Sequence, residues 1–258
     1  MNDERPLWTS GGDDALVYFV VFGADPAAVE VSVERHRVDE IPDGIDVHRL
    51  DADFVAGFFD PPMGDAIREP DPALAAVAAA CDSCLVVTGT VADPGSLDYL
   101  RDSIGLTTAA LDAGGVAVLS LQNFRLYAPE RWRLDVFHED ADVAHQLVVI
   151  LYSEDDRPSA PPGSVWVHTR GLRVFGRPDL SIRGVPADQL ELAARVINVL
   201  ITNLADGLQI ADGALMEVGP PLGTLAFRAA GHHDDPDFNN VHLDIAWPAL
   251  TEPPTRPL

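Results

Sequence analysis

The stretch ALVYFVVFG, residues 15–23, decides the fold, because it is apolar on both of the faces that a β-strand presents. Three further short runs have the same character: CLVVTGT (84–90), GVAVLSL (115–121) and LVVILY (147–152). A strand without a polar face fits the interior of a sheet that is covered by helices. We therefore expect these four runs to be buried strands.

Helical patterns separate several of these strands. DPALAAVAAAC (71–81) has a proline near its first turn, and apolar residues recur at a spacing of three to four from Asp93 until Gly114 ends the pattern. A third helix is predicted over 129–146. Residues 25–38 combine a helix-like start with a period-two pattern, and we favour a helix from that start. Strands that alternate with helices predict an α/β arrangement.

The second part of the chain has a different pattern of predicted secondary structure. Its strand-like segments are short and alternate with turns, and they lie at 165–176, 179–185, 208–218, 224–230 and 241–247. The third of them is expected to be a hairpin around Asp212-Gly213, and an amphipathic helix is predicted over about 186–205. Gly171 within the first segment predicts a bulge or a place where another backbone comes close.

These patterns predict a fold of the class α/β (α+β). A mixed sheet with covering helices is expected over 1–152, and an antiparallel α+β layer over 165–258. The polar, proline-rich segment 153–164 is interpreted as a linker or a long loop, and the tail PALTEPPTRPL (248–258) is expected to fray. A chain of 258 residues fits two small parts of this kind or one compact domain.

The charge of the chain excludes several functions. It has 41 acidic and 17 basic residues, a net charge of −24, and every basic residue is arginine. A nucleic-acid binder needs surplus positive charge, and an anionic membrane surface would repel this chain. The apolar run at 15–22 is too short to span a bilayer, and two cysteines cannot form a disulfide-rich scaffold. We expect a cytoplasmic, globular protein.

One stretch is positively charged. Residues 165–183 contain four arginines and a single acidic residue, Asp179. Because a planar guanidinium binds carboxylate or phosphate with two hydrogen bonds, Arg170, Arg173 and Arg177 are candidates for binding an anion. The other interpretation is that these arginines pair with the protein's own aspartates and hold a hairpin together.

A second candidate site is the segment GHHDDPD, which lies between two predicted strands. Its potential metal ligands are His232, His233, Asp234 and Asp235, and His242 on the following predicted strand is expected to approach them. Imidazole and carboxylate groups suit a divalent metal such as zinc, iron or manganese. The same residue types are typical of a surface turn in an aspartate-rich protein, so no cofactor is expected unless this segment binds a metal.

Two other groups of potential ligands are interpreted as structural. Cys81 and Cys84 lie where an alanine-rich helix ends, and a helix C-terminus raises a thiol pKa, so we expect buried, unreactive cysteines. His138, Asp142 and His145 have a helical spacing that could hold a metal but is more typical of an exposed polar helix face. The sequence contains neither a serine-hydrolase GxSxG motif nor a Walker motif.

The segment TRGLRVFGRPDL (169–180) resembles the signature of a bacterial family of domains of unknown function, whose members carry a TRGLxxFGxP[DE]L hairpin in their C-terminal half. The order of the surrounding elements also agrees, from the first apolar strand through FFDPPMGD (58–65) to the DG-containing segment 203–213. The stretch CDSC departs from the family, where histidine-containing polar residues are expected. The resemblance implies an intracellular bacterial α/β protein and supplies no catalytic residue.

We therefore expect a non-enzymatic protein- or ligand-binding module of the immunity or adaptor type, for which a protein partner is possible. The alternative is a metal-dependent hydrolase that uses His232, His233 and nearby carboxylates. A third hypothesis is a small-anion sensor that uses the three arginines. No catalytic residue is predicted, and neither nucleic acid nor a membrane is an expected partner.

Overall fold

In the computed structural model, which describes residues 4–38 and 40–248, the chain forms two β-sheets flanked by helices. The strands of the first sheet, β1 to β5, are Ala15–Phe22, Ile45–Asp51, Ser83–Val91, Ala117–Ser120 and Arg125–Tyr127. Those of the second, β6 to β11, are Val149–Glu154, Val165–Arg170, Asp179–Val185, Leu215–Gly219, Gly223–Gly231 and Val241–Ile245. The helices α1 to α8 are Val33–His36, Ala52–Phe58, Met63–Arg68, Pro72–Ala79, Asp98–Asp112, Pro129–Trp132, Val143–Leu147 and Leu190–Ala205. The mixed α+β class is confirmed.

The first sheet has the strand order β2-β3-β1-β4-β5 and is antiparallel at every pairing. The expectation of a mixed sheet in this part is wrong. β3, α5 and β4 do form a strand–helix–strand unit whose two strands run in the same direction, but β1 lies between them and pairs antiparallel with both. An apolar pattern predicts that a strand is buried and not which strand becomes its neighbour.

β1 is the central strand of this sheet, and both of its faces are buried as its composition predicts. On one face Phe19 packs in the same cluster as α5, and its ring meets the Trp132 ring edge-on with centroids 5.3 Å apart. On the other face Phe22 packs against α2 and α3, with its ring centroid 6.1 Å from that of Phe58. Helices thus cover both sides of the first sheet.

The second sheet has the order β6-β7-β8-β11-β10-β9 and is mixed, because β8 and β11 are parallel. The expectation of a purely antiparallel layer is therefore wrong. The chain leaves β8 through α8 and the β9–β10 hairpin before β11 returns beside β8. Leu180, Ile182 and Leu243 belong to the core cluster that also contains the apolar side of α8. The opposite face of the sheet carries polar and aromatic side chains.

β6 is an edge strand rather than the buried strand that LVVILY predicts. Leu147 is buried but belongs to α7, whereas Leu151 is 37% exposed and Tyr152 is 51% exposed. The apolar run is divided between the end of a helix and the edge of a sheet. Among the described residues β6 pairs only with β7.

Other boundaries also differ from the predictions. The segment 25–38 forms a short 3-10 turn and the four-residue α1, and the predicted helix over 129–146 is interrupted after Phe137 before α7 begins. The helix expected from Asp93 starts at Asp98, because Asp93 instead accepts hydrogen bonds from Gly11 N and Trp8 Nε1. The second-half hairpin joins β9 to β10 rather than turning at Asp212-Gly213.

The segment 153–164 is anchored to the second sheet. β6 extends to Glu154, and the buried Asp155 carboxylate accepts hydrogen bonds from the Arg157 guanidinium and from Gly184 N at 2.8 Å. One cluster of buried apolar side chains includes residues from both parts of the chain. Helices that combine the length and apolarity needed to cross a membrane do not occur in the described ranges. The tail that was expected to fray lies, from residue 249 onward, outside the described residues.

Candidate functional site

The three arginines of the positive stretch do not converge on one point. Arg170 ends β7, Arg173 lies in the 3-10 turn Leu172–Phe175, and Arg177 lies in the turn before β8. Each guanidinium donates to main-chain carbonyl oxygens. The hairpin is therefore held largely through backbone acceptors, and the Asp93 carboxylate lies 3.8 Å from Arg177 Nη1.

Arg177 is a structural residue. Its side chain is 1% exposed and donates to the carbonyls of Gly176, Gly207 and Leu208, at 2.7, 2.8 and 3.1 Å. Arg5 donates from Nε to the carbonyl of Ala205 at 2.9 Å. Ala205 ends α8, where the partial negative charge of the helix lies, so both cations stabilise this end.

Arg170 and Arg173 hold the loop between β10 and β11, residues 232–240. Arg173 Nη1 donates to the carbonyl of Asn239 at 3.0 Å and reaches that of His233 at 3.4 Å. Arg170 Nη1 reaches two further carbonyls of the loop, both at 3.4 Å. The two segments that the sequence singles out separately are thus in contact, through the loop backbone rather than through its histidines.

The structure does not bring the five predicted metal ligands into one ligand set. His232, His233 and Asp234 are exposed, and the Asp235 carboxylate accepts a hydrogen bond from Asp237 N at 2.9 Å. Within residues 4–38 and 40–248, no three His, Cys, Asp or Glu side chains are arranged to hold a metal ion.

His242 instead belongs to a stack of rings on the face of the second sheet opposite α8. The Arg183 guanidinium lies 3.7 Å from the Trp166 ring centroid, and the Trp166 and His168 rings are stacked at 3.9 Å. Phe238 meets His168 edge-on at 5.4 Å and stacks on His242 at 4.0 Å. We call these five side chains the aromatic stack.

His168 is held in its neutral form by this environment. Its side chain is buried, and burial together with the nearby Arg183 and Arg170 charges lowers its pKa to about 4. The unfolded chain regains the ordinary value of 6.5. Between these two pH values the unfolded state binds more protons than the folded state, so acid favours unfolding.

We expect His168 to contribute a loss of about 3 kcal/mol in the free energy of unfolding as the pH falls from 7 to 4. The His168→Phe variant keeps a ring in the aromatic stack but cannot take up the proton. Urea unfolding of both proteins at a series of pH values should show a shallower pH dependence in the variant. Equal pH dependences would show that His168 is not responsible.

A cleft of about 720 Å³ lies between β6 and α3. Met63 and Ala66 of α3 form one wall, and Val149 and Leu151 of β6 form the opposite wall. Arg170 also lines the cleft, which we call the Arg170 cavity. Its volume is within the range of small-molecule sites, and apolar walls around a few polar groups are typical of such sites.

The guanidinium of Arg170 is incompletely satisfied. The residue is 8% exposed, and its guanidinium lies over the Phe124 ring, 3.9 Å from the centroid. Its Nε finds no acceptor among the described residues, and burial lowers its pKa. A buried N–H group without a partner is costly, and Arg170 lines the cavity, where a carboxylate or similar anion is the acceptor that suits a guanidinium.

The turn between β4 and β5 supplies two further polar side chains of the cavity, Asn123 and Arg125. Asn123 donates from Nδ2 to the carbonyl of Leu147 at 3.0 Å and accepts from Arg125 N at 3.0 Å, while Phe124 adopts a positive φ of 57°. The Arg125 guanidinium donates to Gln146 Oε1 at 3.2 Å. This turn is not among the predicted sites; its signal in the sequence is the polar pair that flanks Phe124 between two short apolar runs.

The remaining candidates are placed apart from this cavity. Cys81 and Cys84 are free thiols, and burial raises the pKa of Cys84 to about 11 and also that of Cys81, which is the direction predicted. His138 ends one helical segment, whereas Asp142 caps α7 and its carboxylate lies 2.9 Å from His145 Nδ1. The expected helix face with all three residues therefore does not form.

Comparison with known proteins adds no relative. No protein-family model, no curated protein and no solved structure matches the chain. The resemblance of residues 169–180 to a domain family of unknown function stays a prediction, and the Arg170 cavity is interpreted from its own contacts.

Proposed function

We propose that this protein is a non-enzymatic, cytoplasmic binding module of a bacterium, and that the Arg170 cavity takes a carboxylate group attached to an apolar body. The observation that carries the proposal is the buried Arg170 guanidinium, whose Nε lacks an acceptor and which lines a cleft of about 720 Å³. An adaptor or immunity role, in which the carboxylate belongs to a protein partner, is consistent with the same cavity.

The charges around the cavity support a ligand with a single negative group. Arg170 and Arg125 supply the positive charge, whereas the carboxylates of Glu69 and Asp237 also border the cavity. A second anionic group would meet these carboxylates and the net charge of −24. The rest of the ligand is therefore expected to be apolar, neutral or basic.

The metal-dependent hydrolase alternative has no comparable support among the described residues. His232 and His233 are exposed, and their loop is held by backbone contacts to Arg173 and Arg170. Arg177 is likewise poorly placed for a ligand, since it is 1% exposed and each of its three guanidinium nitrogens donates to a carbonyl group. Of the three arginines, Arg170 is the one that lines the cleft between β6 and α3.

We expect N-acetylated apolar amino acids, such as N-acetyl-leucine, to bind at least about tenfold more tightly than the corresponding amides, because a charge-assisted hydrogen bond to Arg170 is worth more than 1.4 kcal/mol. Isothermal titration of a panel of such pairs measures this ratio. The Arg170→Gln variant should lose the preference for the acid.

The matched control is Arg173→Gln, since Arg173 holds the same loop but does not line the Arg170 cavity. This variant should retain the parent's affinities. Equal binding of acids and amides, or equal losses in the two variants, would overturn the proposed function.

A further inference from the structure

We propose that the natural ligand of the Arg170 cavity is the free C-terminus of another polypeptide, which adds to β6 as an antiparallel strand and places its terminal carboxylate at Arg170. This inference rests on the proposed function and specifies the ligand. It joins two features that are adjacent in the fold, an incompletely satisfied guanidinium and an unpaired strand edge.

The outer edge of β6 is available for pairing. Within the described part of the chain, the six residues of β6 pair only with β7. Leu151 and Tyr152 are more than a third exposed, and the first five residues of β6 include neither a charged residue nor a proline, the residue types that commonly protect an edge. An extended peptide can satisfy the unpaired backbone groups of such an edge.

The direction of the added strand follows from the position of Arg170. In the β6–β7 pairing Arg170 lies opposite Val149, the first residue of β6. A strand that runs antiparallel to β6 ends beside the start of β6. Its last residue therefore pairs with Val149 on the outer side of β6, and Arg170 lies one strand further in, about 10 Å away between Cα atoms, on the same face of the sheet as Val149. In the antiparallel orientation the group that Arg170 would reach across Val149 is the terminal carboxylate rather than an amine.

The walls of the cavity indicate the side chains that the peptide presents. Alternate residues of an added strand point to the same face of the sheet as Val149 and Leu151, which line the cavity opposite Met63 and Ala66. The last residue and the one two positions before it are thus expected to be apolar. Asn123 and Arg125 also line the cavity and add polar groups near Arg170.

The charge at the other end of β6 indicates the upstream residues. Glu154 ends the strand and Asp156 follows it, and both side chains are exposed. A peptide whose carboxylate is at Val149 reaches Glu154 about five residues upstream, because the two strands advance together. A lysine or arginine at that position would pair with these carboxylates and offset the overall negative charge of the protein.

Affinity selection from two peptide libraries tests the inference. The full-length protein is immobilised and exposed to random acetylated hexapeptides, made once with free C-terminal carboxylates and once with C-terminal amides, and bound peptides are identified by mass spectrometry. We expect enrichment from the acid library alone, with an apolar last residue and a basic residue at the upstream end. No enrichment, or equal enrichment from both libraries, would overturn the inference.

Matched variants show whether the selected peptides occupy the groove. Ala66 is exposed on α3 and lines the cavity, so Ala66→Trp should obstruct it and lower peptide affinity at least about tenfold, whereas Ala76→Trp on the exposed side of α4 should not. Arg170→Gln should produce a similar loss, and Arg173→Gln should not. Equal losses of peptide affinity in Ala66→Trp and Ala76→Trp, or in Arg170→Gln and Arg173→Gln, would contradict the assignment of the peptide to the Arg170 cavity.

N-methylation of the peptide backbone tests strand addition itself. Because only alternate N–H groups of an added strand face β6, methylation at one set of alternate positions should abolish binding and at the other set should be tolerated. A uniform effect would exclude strand addition. If the small N-acetyl acids bind through Arg170 while no peptide binds more tightly, the inference fails and the proposed function stands; if neither class binds, both fail.

Discussion

Replacement of Arg177 by methionine is expected to lower the free energy of unfolding by about 3 kcal/mol or more. The variant removes the hydrogen-bond donor of three carbonyl oxygens, those of Gly176, Gly207 and Leu208. Water cannot easily replace it, because Arg177 is only 1% exposed. It also removes a cation from the end of α8, where Arg5 alone would remain. Urea unfolding followed by circular dichroism measures the loss.

The matched control is Arg35→Met. Arg35 is more than half exposed, and its guanidinium lies 3.8 Å from the Glu30 carboxylate. An exposed pair of this kind is worth less than about 1 kcal/mol, so the control should be close to the parent. A loss of similar size in both variants would show that Arg177 contributes only its surface charge and that the carbonyl contacts are unimportant.

The Gly171→Ala variant is expected to lose about 2–4 kcal/mol, because two penalties add at this position. Gly171 has a φ of +122°, which L-residues rarely adopt, and a Cβ there would lie closer than 3.0 Å to the carbonyl oxygen of Leu147. That carbonyl also accepts the hydrogen bond from Asn123 Nδ2. The substitution should therefore also weaken carboxylate binding in the Arg170 cavity.

Gly213 provides the control for this prediction. It also has a positive φ, +76°, but nothing lies within 4 Å of the position of its Cβ. Gly213→Ala carries the conformational penalty of about 1 kcal/mol without the steric one. The difference between the two variants measures the close approach to Leu147 together with the additional strain of the larger φ at Gly171. Equal losses of stability in the two variants would contradict the prediction.

Features that depend on neighbouring residues could be predicted from the sequence. The apolar run at 15–23 gives the central strand β1, and the stripe before Gly207 gives α8, whose end at Ala205 agrees with the prediction. The expectation that another backbone comes close at Gly171 is confirmed by the position of Leu147. In each case the local sequence of one short segment is sufficient to predict its structure.

Features that depend on distant residues could not be predicted in this way. The apolar run 147–152 does not show that Leu147 would end a helix while Leu151 would lie at a sheet edge. The sequence of β1 does not indicate that β3 and β4 pair with its two edges. This pairing makes the first sheet antiparallel. Strand neighbours are decided by the packing of the whole chain.

The candidate site shows the same division. The charge of the stretch 165–183 draws attention to its arginines, but only contacts distinguish Arg177, which donates to backbone carbonyls, from Arg170, whose Nε lacks an acceptor among the described residues. Arg5 has no recognisable pattern in the sequence, since its acceptors lie up to 200 residues away. Arg125 was missed because its turn meets the cavity only after the two sheets pack together.

The Nε–H resonance of Arg170 provides the most direct test of ligand binding by this guanidinium. In a ¹⁵N-edited spectrum the signal is assigned by its loss in Arg170→Gln, and N-acetyl-leucine and its amide are then titrated separately. We expect the signal to move downfield and to saturate with the acid alone, while the Arg173 signal stays in place. An Arg170 signal that remains unmoved at saturating acid, or that moves equally with the amide, would contradict the account.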